Sequence, residues 1–139
     1  MRVVSFAVLV KGFVWFLLVL ARAIFYVYGF LWTLVPRNVF SMVDVLKLFY
    51  YGFLRLNRAD VEVVKLDETE LVTRCRNPCP ILWLALRLNL DTKMVCREVS
   101  EPVCRYVLKR MDKALVFERN YSYIRPYKES CEERIYLRQ

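Results

Sequence analysis

The pattern of hydrophobic and polar positions predicts two apolar helices in the first part of the chain. Gly12 to Val35 is a run of 24 positions that contains one charged residue, Arg22. A helix rises about 1.5 Å per residue, so a run of this length is sufficient to cross a hydrocarbon core of about 30 Å. Pro36 ends the run. From Val39 to Leu56 a polar residue then recurs every three or four positions, which is typical of an amphipathic helix.

Beyond this second helix the periodicity changes from that of helices to that of strands. Two runs of alternating apolar and polar residues flank a turn at Asp67, helical runs follow, and two further strand-like runs end the sequence. These elements predict an α+β domain with the order ββααββ and an antiparallel sheet. The predicted strands are Val61–Lys65, Glu70–Arg76, Leu115–Arg119 and Cys131–Leu137, and the predicted helices are Ile81–Leu88, Asp91–Val99 and one that Ser100 caps. The chain is therefore predicted to have three parts: an apolar membrane-associated helix (1–36), an amphipathic linking helix (37–58) and a cysteine-rich α+β domain (59–139).

Composition and charge favour a membrane surface as the partner of the apolar N-terminal part of the chain, residues 1–36, which we call the apolar front. Hydrophobic residues make up 58% of the chain, above the usual ~45–50% of soluble domains, and the net charge is +8. The first 43 residues contain four basic residues and no acidic residue. Positive charge beside apolar bulk suits anionic lipid head groups. Nucleic acid is disfavoured, because its binding modules present a compact basic and aromatic face and the basic residues here are thinly spread.

The distribution of basic residues also predicts an orientation. Arg2 stands nearly alone before the apolar run, whereas Arg37, Lys47, Arg55 and Arg58 follow it. By the positive-inside tendency, a spanning helix places the C-terminal domain in the cytoplasm. We therefore expect a membrane-associated protein whose C-terminal domain is cytoplasmic.

Three alternatives to a spanning helix remain open for the apolar front. Lys11 and Arg22 lie eleven residues apart, on one face of a helix, which fits a helix lying flat in the membrane interface. A buried or oligomer-forming helix of a soluble protein, with both charges reaching solvent, fits the same residues. Ala21 and Ala23 resemble a signal-peptide cleavage site, but the apolar run continues beyond them. The expected partners are therefore membrane lipid, a second copy of the chain or a membrane partner subunit.

Two compositional gaps exclude several kinds of site. The chain contains no histidine, so Ser-His and Cys-His catalysis and histidine-ligated zinc are excluded. Its three glycines are Gly12, Gly29 and Gly52, and none follows. Neither a P-loop nor a glycine-rich dinucleotide-binding turn is therefore available in the C-terminal domain.

Five cysteines carry the candidate chemistry of the C-terminal domain. Their odd number and the expected cytoplasmic location both argue against a closed set of disulfides. Three interpretations remain open: ligands of zinc or an iron–sulfur cluster, a reactive thiol with a lowered pKa, and small buried core residues. The candidate metal ligands are Cys75, Cys79, Cys96, Cys104 and Cys131, and the candidate nucleophiles are Cys79 and Cys96.

The spacing of these residues resembles that of a known family. Cys79-Pro80, Cys96, Phe117-Glu118-Arg119 and Cys131-Glu132 are similar to the pattern of the L-2-amino-thiazoline-4-carboxylate hydrolase-like proteins, over roughly residues 61–135. The resemblance implies an α+β domain and a cysteine-centred site at Cys79, Cys96 and Cys131. The activity that gives the family its name opens a cyclic thiazoline.

These observations predict a membrane-tethered binding or sensing domain with a cysteine-centred site for a small ligand or a metal, zinc or iron–sulfur. A first alternative is a small thiol-dependent hydrolase that acts on a C–N bond of a cyclic substrate, with Cys79 or Cys96 as its nucleophile. A second alternative is a structural subunit of a membrane complex, whose apolar helices bind partner proteins.

Overall fold

The computed structural model of the chain describes residues 6–139. The apolar front forms one continuous helix, α1 (Phe6–Thr33), which is long and apolar enough to cross a membrane. It ends shortly before Pro36, because the residue that precedes a proline is sterically disfavoured in the helical region. Arg2, on which the expected orientation partly rests, lies outside the described residues, and the cytoplasmic location stays a prediction.

The second helix contributes to the main hydrophobic core. Ser41 begins α2 (Met42–Val45) with a capping box: its hydroxyl accepts from the Asp44 N–H, and the Asp44 carboxylate accepts from the Ser41 N–H. The helix continues with wider, π-helical turns over Leu46–Phe53. Its buried face packs in the same core as the strands and consists of Met42, Val45, Leu46, Phe49, Tyr50 and Phe53.

Four antiparallel strands form one sheet with the order β1-β2-β4-β3. Alternate residues of the strands, such as Leu71 of β2 and Phe117 of β3, are buried, so one face of the sheet covers the core. The predicted α+β class with an antiparallel sheet is confirmed, and each strand lies within one residue of its predicted bounds. The strands are β1 (Val61–Leu66), β2 (Glu70–Cys75), β3 (Leu115–Arg119) and β4 (Cys131–Leu137).

Helical segments connect β2 to β3. They are α3 (Pro80–Arg87), α4 (Thr92–Val95) and α5 (Glu101–Met111), and the π-helical turns of Cys96–Ser100 join α4 and α5 into one continuous helix. The Asp91 carboxylate caps this helix by accepting from the Lys93 N–H, as its position in the sequence predicted.

Ser100 does not cap a new helix, in contrast to the sequence-based prediction. Its backbone is helical, with φ −88° and ψ −42°, and its side chain makes no capping hydrogen bond. Its hydroxyl instead accepts from Arg119 Nη1 at 2.6 Å. The altered hydrogen bonding of the π-helical turns also suits Pro102, which has no N–H to donate. As a result, Cys96, Ser100 and Cys104 follow one another at a spacing of four along a single helix.

The two halves of α1 have different surroundings. From Phe6 to Phe13 every residue is exposed, whereas Leu18 and Gly29 are buried against the C-terminal domain. Gly29 permits a close approach to α5, because a Cβ atom there would lie 2.9 Å from Val107 Cγ2 and 3.3 Å from Val103 Cγ1. The second half of α1 therefore packs along the domain, and its outward face stays apolar and exposed.

Candidate functional site

All five cysteines line one cavity of about 850 Å³. The cavity lies between α1, the segment that follows α2, α3, the α4–α5 helix and the ends of strands β2, β3 and β4. Its wall is mainly apolar, and its volume falls within the ~300–1,000 Å³ of typical small-molecule sites. Ile24 of α1 and Trp83 of α3 are exposed and form part of its mouth, whereas the cysteines and Arg119 lie deeper.

The cysteines reach the cavity from four different elements, and all five are free thiols. Cys75 ends β2 directly opposite Cys131, which begins β4. Cys79 is the residue before α3, and Cys96 and Cys104 lie on the continuous α4–α5 helix. Cys79 and Cys131 are half-buried, and the other three are buried. The structure thus places all the candidate residues around one space.

The thiols do not converge on a point in the way that metal ligands must. Within residues 6–139 no group of three or more cysteine or acidic side chains is close enough to share a metal ion. Zinc and iron–sulfur sites bring three or four such ligands to about 2.0–2.3 Å from one metal. The predicted metal-ligand set of Cys75, Cys79, Cys96, Cys104 and Cys131 is therefore not assembled in the described part of the chain, because the five thiols are distributed around the cavity wall.

A buried ion pair forms the floor of the cavity. The Arg119 side chain is 9% exposed, and its Nη2 donates to Glu133 Oε1 at 2.5 Å while its Nη1 donates to Ser100 Oγ. The other oxygen of Glu133 accepts from the Tyr50 hydroxyl at 3.0 Å, and Tyr50 in turn accepts from Thr73 Oγ1 at 2.9 Å. This network joins three strands and two helices. Among residues 6–139, Arg119 Nε finds no hydrogen-bond partner.

The environment keeps Arg119 charged and the deep thiols neutral. Burial opposes the charge on Arg119, but the Glu133 carboxylate beside it outweighs this effect, and the pKa of Arg119 lies well above its ordinary value. Burial raises the pKa of Cys96 to about 11 and raises the pKa values of Cys75 and Cys104 still further. One of the sequence-based interpretations was a reactive thiol with a lowered pKa. The pKa of Cys96 is raised instead, because desolvation disfavours the thiolate.

At the rim, Arg125 fixes the loop between β3 and β4. Its backbone N–H and its Nε donate to Cys131 Sγ at 3.5 and 3.4 Å, and its Nη1 donates to the Asn77 carbonyl oxygen at 2.8 Å. The loop is thereby held against the segment that leads into α3. These contacts position Cys131 beside a cation at the cavity wall.

Alkylation of the native protein is expected to separate the five cysteines into two groups. N-ethylmaleimide should label Cys79 and Cys131 first, because they are half-buried, and the three buried thiols much more slowly, because burial raises their pKa values and keeps them protonated. Raising the pH to 9 should not bring Cys96 into the fast group, since its pKa is about 11. Mass spectrometry of timed samples counts the labels, with urea-unfolded protein as the five-label control. Rapid labelling of Cys96 in the native protein would contradict the described burial.

The sequence-based reasoning did not identify Arg119, Glu133, Ser100 and Tyr50 as members of the site. A signal was nevertheless present. In β3, Leu115, Phe117 and Arg119 occupy alternate positions, and Arg119 faces Glu133 across the β3–β4 register. Two opposite charges that face each other at core positions of the strand alternation are expected to be buried and to form an ion pair.

Comparison of the chain with protein-family models, with curated proteins and with solved structures finds no match. The resemblance to the L-2-amino-thiazoline-4-carboxylate hydrolase-like proteins therefore stays a prediction. The functional interpretation rests on the geometry of the cavity and of α1.

Proposed function

We propose that this protein is a membrane-associated domain that binds a small ligand in its cysteine-lined cavity. The observation that carries the proposal is the cavity itself: a mainly apolar space of about 850 Å³ with one buried guanidinium, that of Arg119, at its floor. Binding sites of small molecules combine an apolar wall with a few polar groups that fix the orientation of the ligand. The Arg119 guanidinium provides such a group.

A binding role fits the thiols better than a nucleophilic one. The pKa of Cys96 is raised by burial, so its thiol is protonated at neutral pH. Within residues 6–139, neither Cys79 nor Cys96 forms a hydrogen bond with a carboxylate that could act as its base. Protonated thiols behave as small apolar groups with a weak donor, which suits the wall of a ligand cavity. The hydrolase alternative therefore depends on Cys79 alone.

Membrane association is supported by the outward face of α1. Exposed apolar side chains continue along the whole helix, including the half that packs on the domain. Contiguous apolar surface of this extent marks an interaction site in soluble proteins or contact with lipid. The most exposed members of this outward face are Phe6, Val8, Leu9, Phe13, Phe16, Ile24, Val27 and Leu31.

The packing of α1 favours a helix that lies along the membrane surface. Arg22 contacts the domain, donating to the Glu98 carbonyl oxygen at 3.4 Å and lying 4.0 Å from its carboxylate. If α1 crossed the bilayer, the charged α4–α5 helix that packs beside it would also have to enter the hydrocarbon. A helix in the interface plane keeps these contacts and still buries its outward apolar face in the acyl region.

Ligand binding is tested with the neutral fluorescent probe N-phenyl-1-naphthylamine and two matched variants of α1. Ile24→Trp should lower the affinity for the probe by at least tenfold, because Ile24 lines the mouth of the cavity and the larger ring obstructs it. Val27→Trp introduces the same ring about one helical turn along, at a residue that is similarly exposed but does not line the cavity. It should bind as the native chain does.

Both variants are measured in the same detergent micelles, so that partition of the probe into the micelle is common to them. A saturable fluorescence increase with one site per chain, lost only in Ile24→Trp, supports the proposal. No saturable binding by the native chain, or equal binding by both variants, rejects the cavity as a ligand site.

A further inference from the structure

The polar groups of the cavity are suited to a ligand that accepts hydrogen bonds. Within the described part of the chain, Arg119 Nε is a buried donor without a partner, although its Nη atoms are paired with Glu133 and Ser100. An unpaired N–H of a charged guanidinium is costly to bury. Arg119 lines the cavity, and a shift of its side chain would bring this N–H to an acceptor atom of a bound molecule.

The charge of the wall favours an anion over a neutral acceptor. Three arginines, Arg55, Arg119 and Arg125, line the cavity, against two carboxylates, those of Asp60 and Glu133. Glu133 neutralises Arg119, whereas no carboxylate in residues 6–139 forms an ion pair with Arg125. The wall therefore carries one net positive charge, and a ligand with a single negative charge would balance it.

The mouth of the cavity opens on the apolar surface of the protein. Ile24 belongs both to the cavity lining and to the exposed apolar face of α1, where it is 62% exposed. Trp83 of α3 also lines the cavity and is 60% exposed. A molecule that enters between these two residues comes from the same side as the lipid that α1 is proposed to contact.

From these three observations we infer that the ligand is an apolar carboxylic acid of the fatty-acid type, taken up from the membrane. Its carboxylate accepts from Arg119 Nε on the floor of the cavity, in the field of Arg125, and its hydrocarbon part lies against the apolar wall. The inference rests on the proposed binding function and specifies the chemical class of the ligand. A larger amphipathic acid with the same head group would use the same contacts.

Displacement of N-phenyl-1-naphthylamine by three molecules of equal chain length tests the head group. Dodecanoate should displace the probe from the native full-length chain at a concentration at least tenfold lower than dodecanol or methyl dodecanoate. In Arg119→Lys this preference should disappear, because lysine retains the charge beside Glu133 but has no N–H at the Nε position. Comparing ratios between native protein and variant cancels the different partition of the three molecules into micelles.

A second variant covers the case in which Arg119→Lys does not fold. Arg125→Gln removes the uncompensated charge at the rim and should reduce the preference for dodecanoate over dodecanol several-fold, a ratio measured within the variant and therefore independent of its affinity for the probe. Equal displacement by acid, alcohol and ester would overturn the inference and leave the ligand-binding function intact. A preference for the acid that persists in both arginine variants would also overturn it. Absence of probe binding by the native chain would instead remove the proposed function itself.

Discussion

Replacing Arg119 with methionine is expected to lower the free energy of unfolding by about 3–5 kcal/mol. The change leaves the Glu133 carboxylate buried without its cation, and Glu133 is only 5% exposed. It also removes the donor to Ser100, which connects the sheet to the α4–α5 helix. Urea unfolding of the full chain in detergent micelles, followed by circular dichroism, measures the effect.

Two comparisons show whether the effect arises from the buried pair. Arg76→Met removes an arginine of an exposed ion pair, whose Nη2 lies 3.5 Å from Glu129, and should cost at most about 1 kcal/mol. The double variant with Arg119→Met and Glu133→Leu should lose less stability than Arg119→Met alone, because no unpaired charge is left in the core. If Arg119→Met is as stable as Arg76→Met, the described burial of the pair is wrong.

Most of the fold follows from local sequence patterns. Alternation of apolar and polar residues fixed the strands to within one residue, and the side chains of Asp91 and Pro36 marked the beginning of one helix and the end of another. These signals act over a few residues and depend little on tertiary contacts. The start predicted at Ser100 was wrong, because the preceding π-helical turns continue the helix and the hydroxyl is occupied by Arg119, nineteen residues away.

The site could be predicted only in part. The sequence identified all five cysteines as candidates, but spacing alone could not show whether they converge on a metal or surround a cavity. That distinction depends on how α1 and α3, which are far apart in the sequence, pack above the ends of the strands. Arg119 could have been recognised from its position in β3, since strand alternation directs it to the buried face.

The outward face of α1 is expected to hold the protein on membranes, and one substitution on it should release a large share of the bound protein. Val27 is 58% exposed, and burying a valine side chain in an apolar environment contributes ~1.5 kcal/mol or more. Val27→Asp loses this contribution and places a charge against the acyl chains, so the partition coefficient should fall by more than tenfold. Val64→Asp is the matched control, because Val64 is a similarly exposed valine on β1.

Flotation with vesicles that contain anionic phosphatidylglycerol makes the measurement, after the full chain has been added in detergent and the detergent removed. The native chain and Val64→Asp should rise with the vesicles, and Val27→Asp should remain largely in the dense fraction. Native protein that stays below the vesicles as a detergent-free particle, or Val27→Asp that floats as well as Val64→Asp, would contradict membrane attachment through α1.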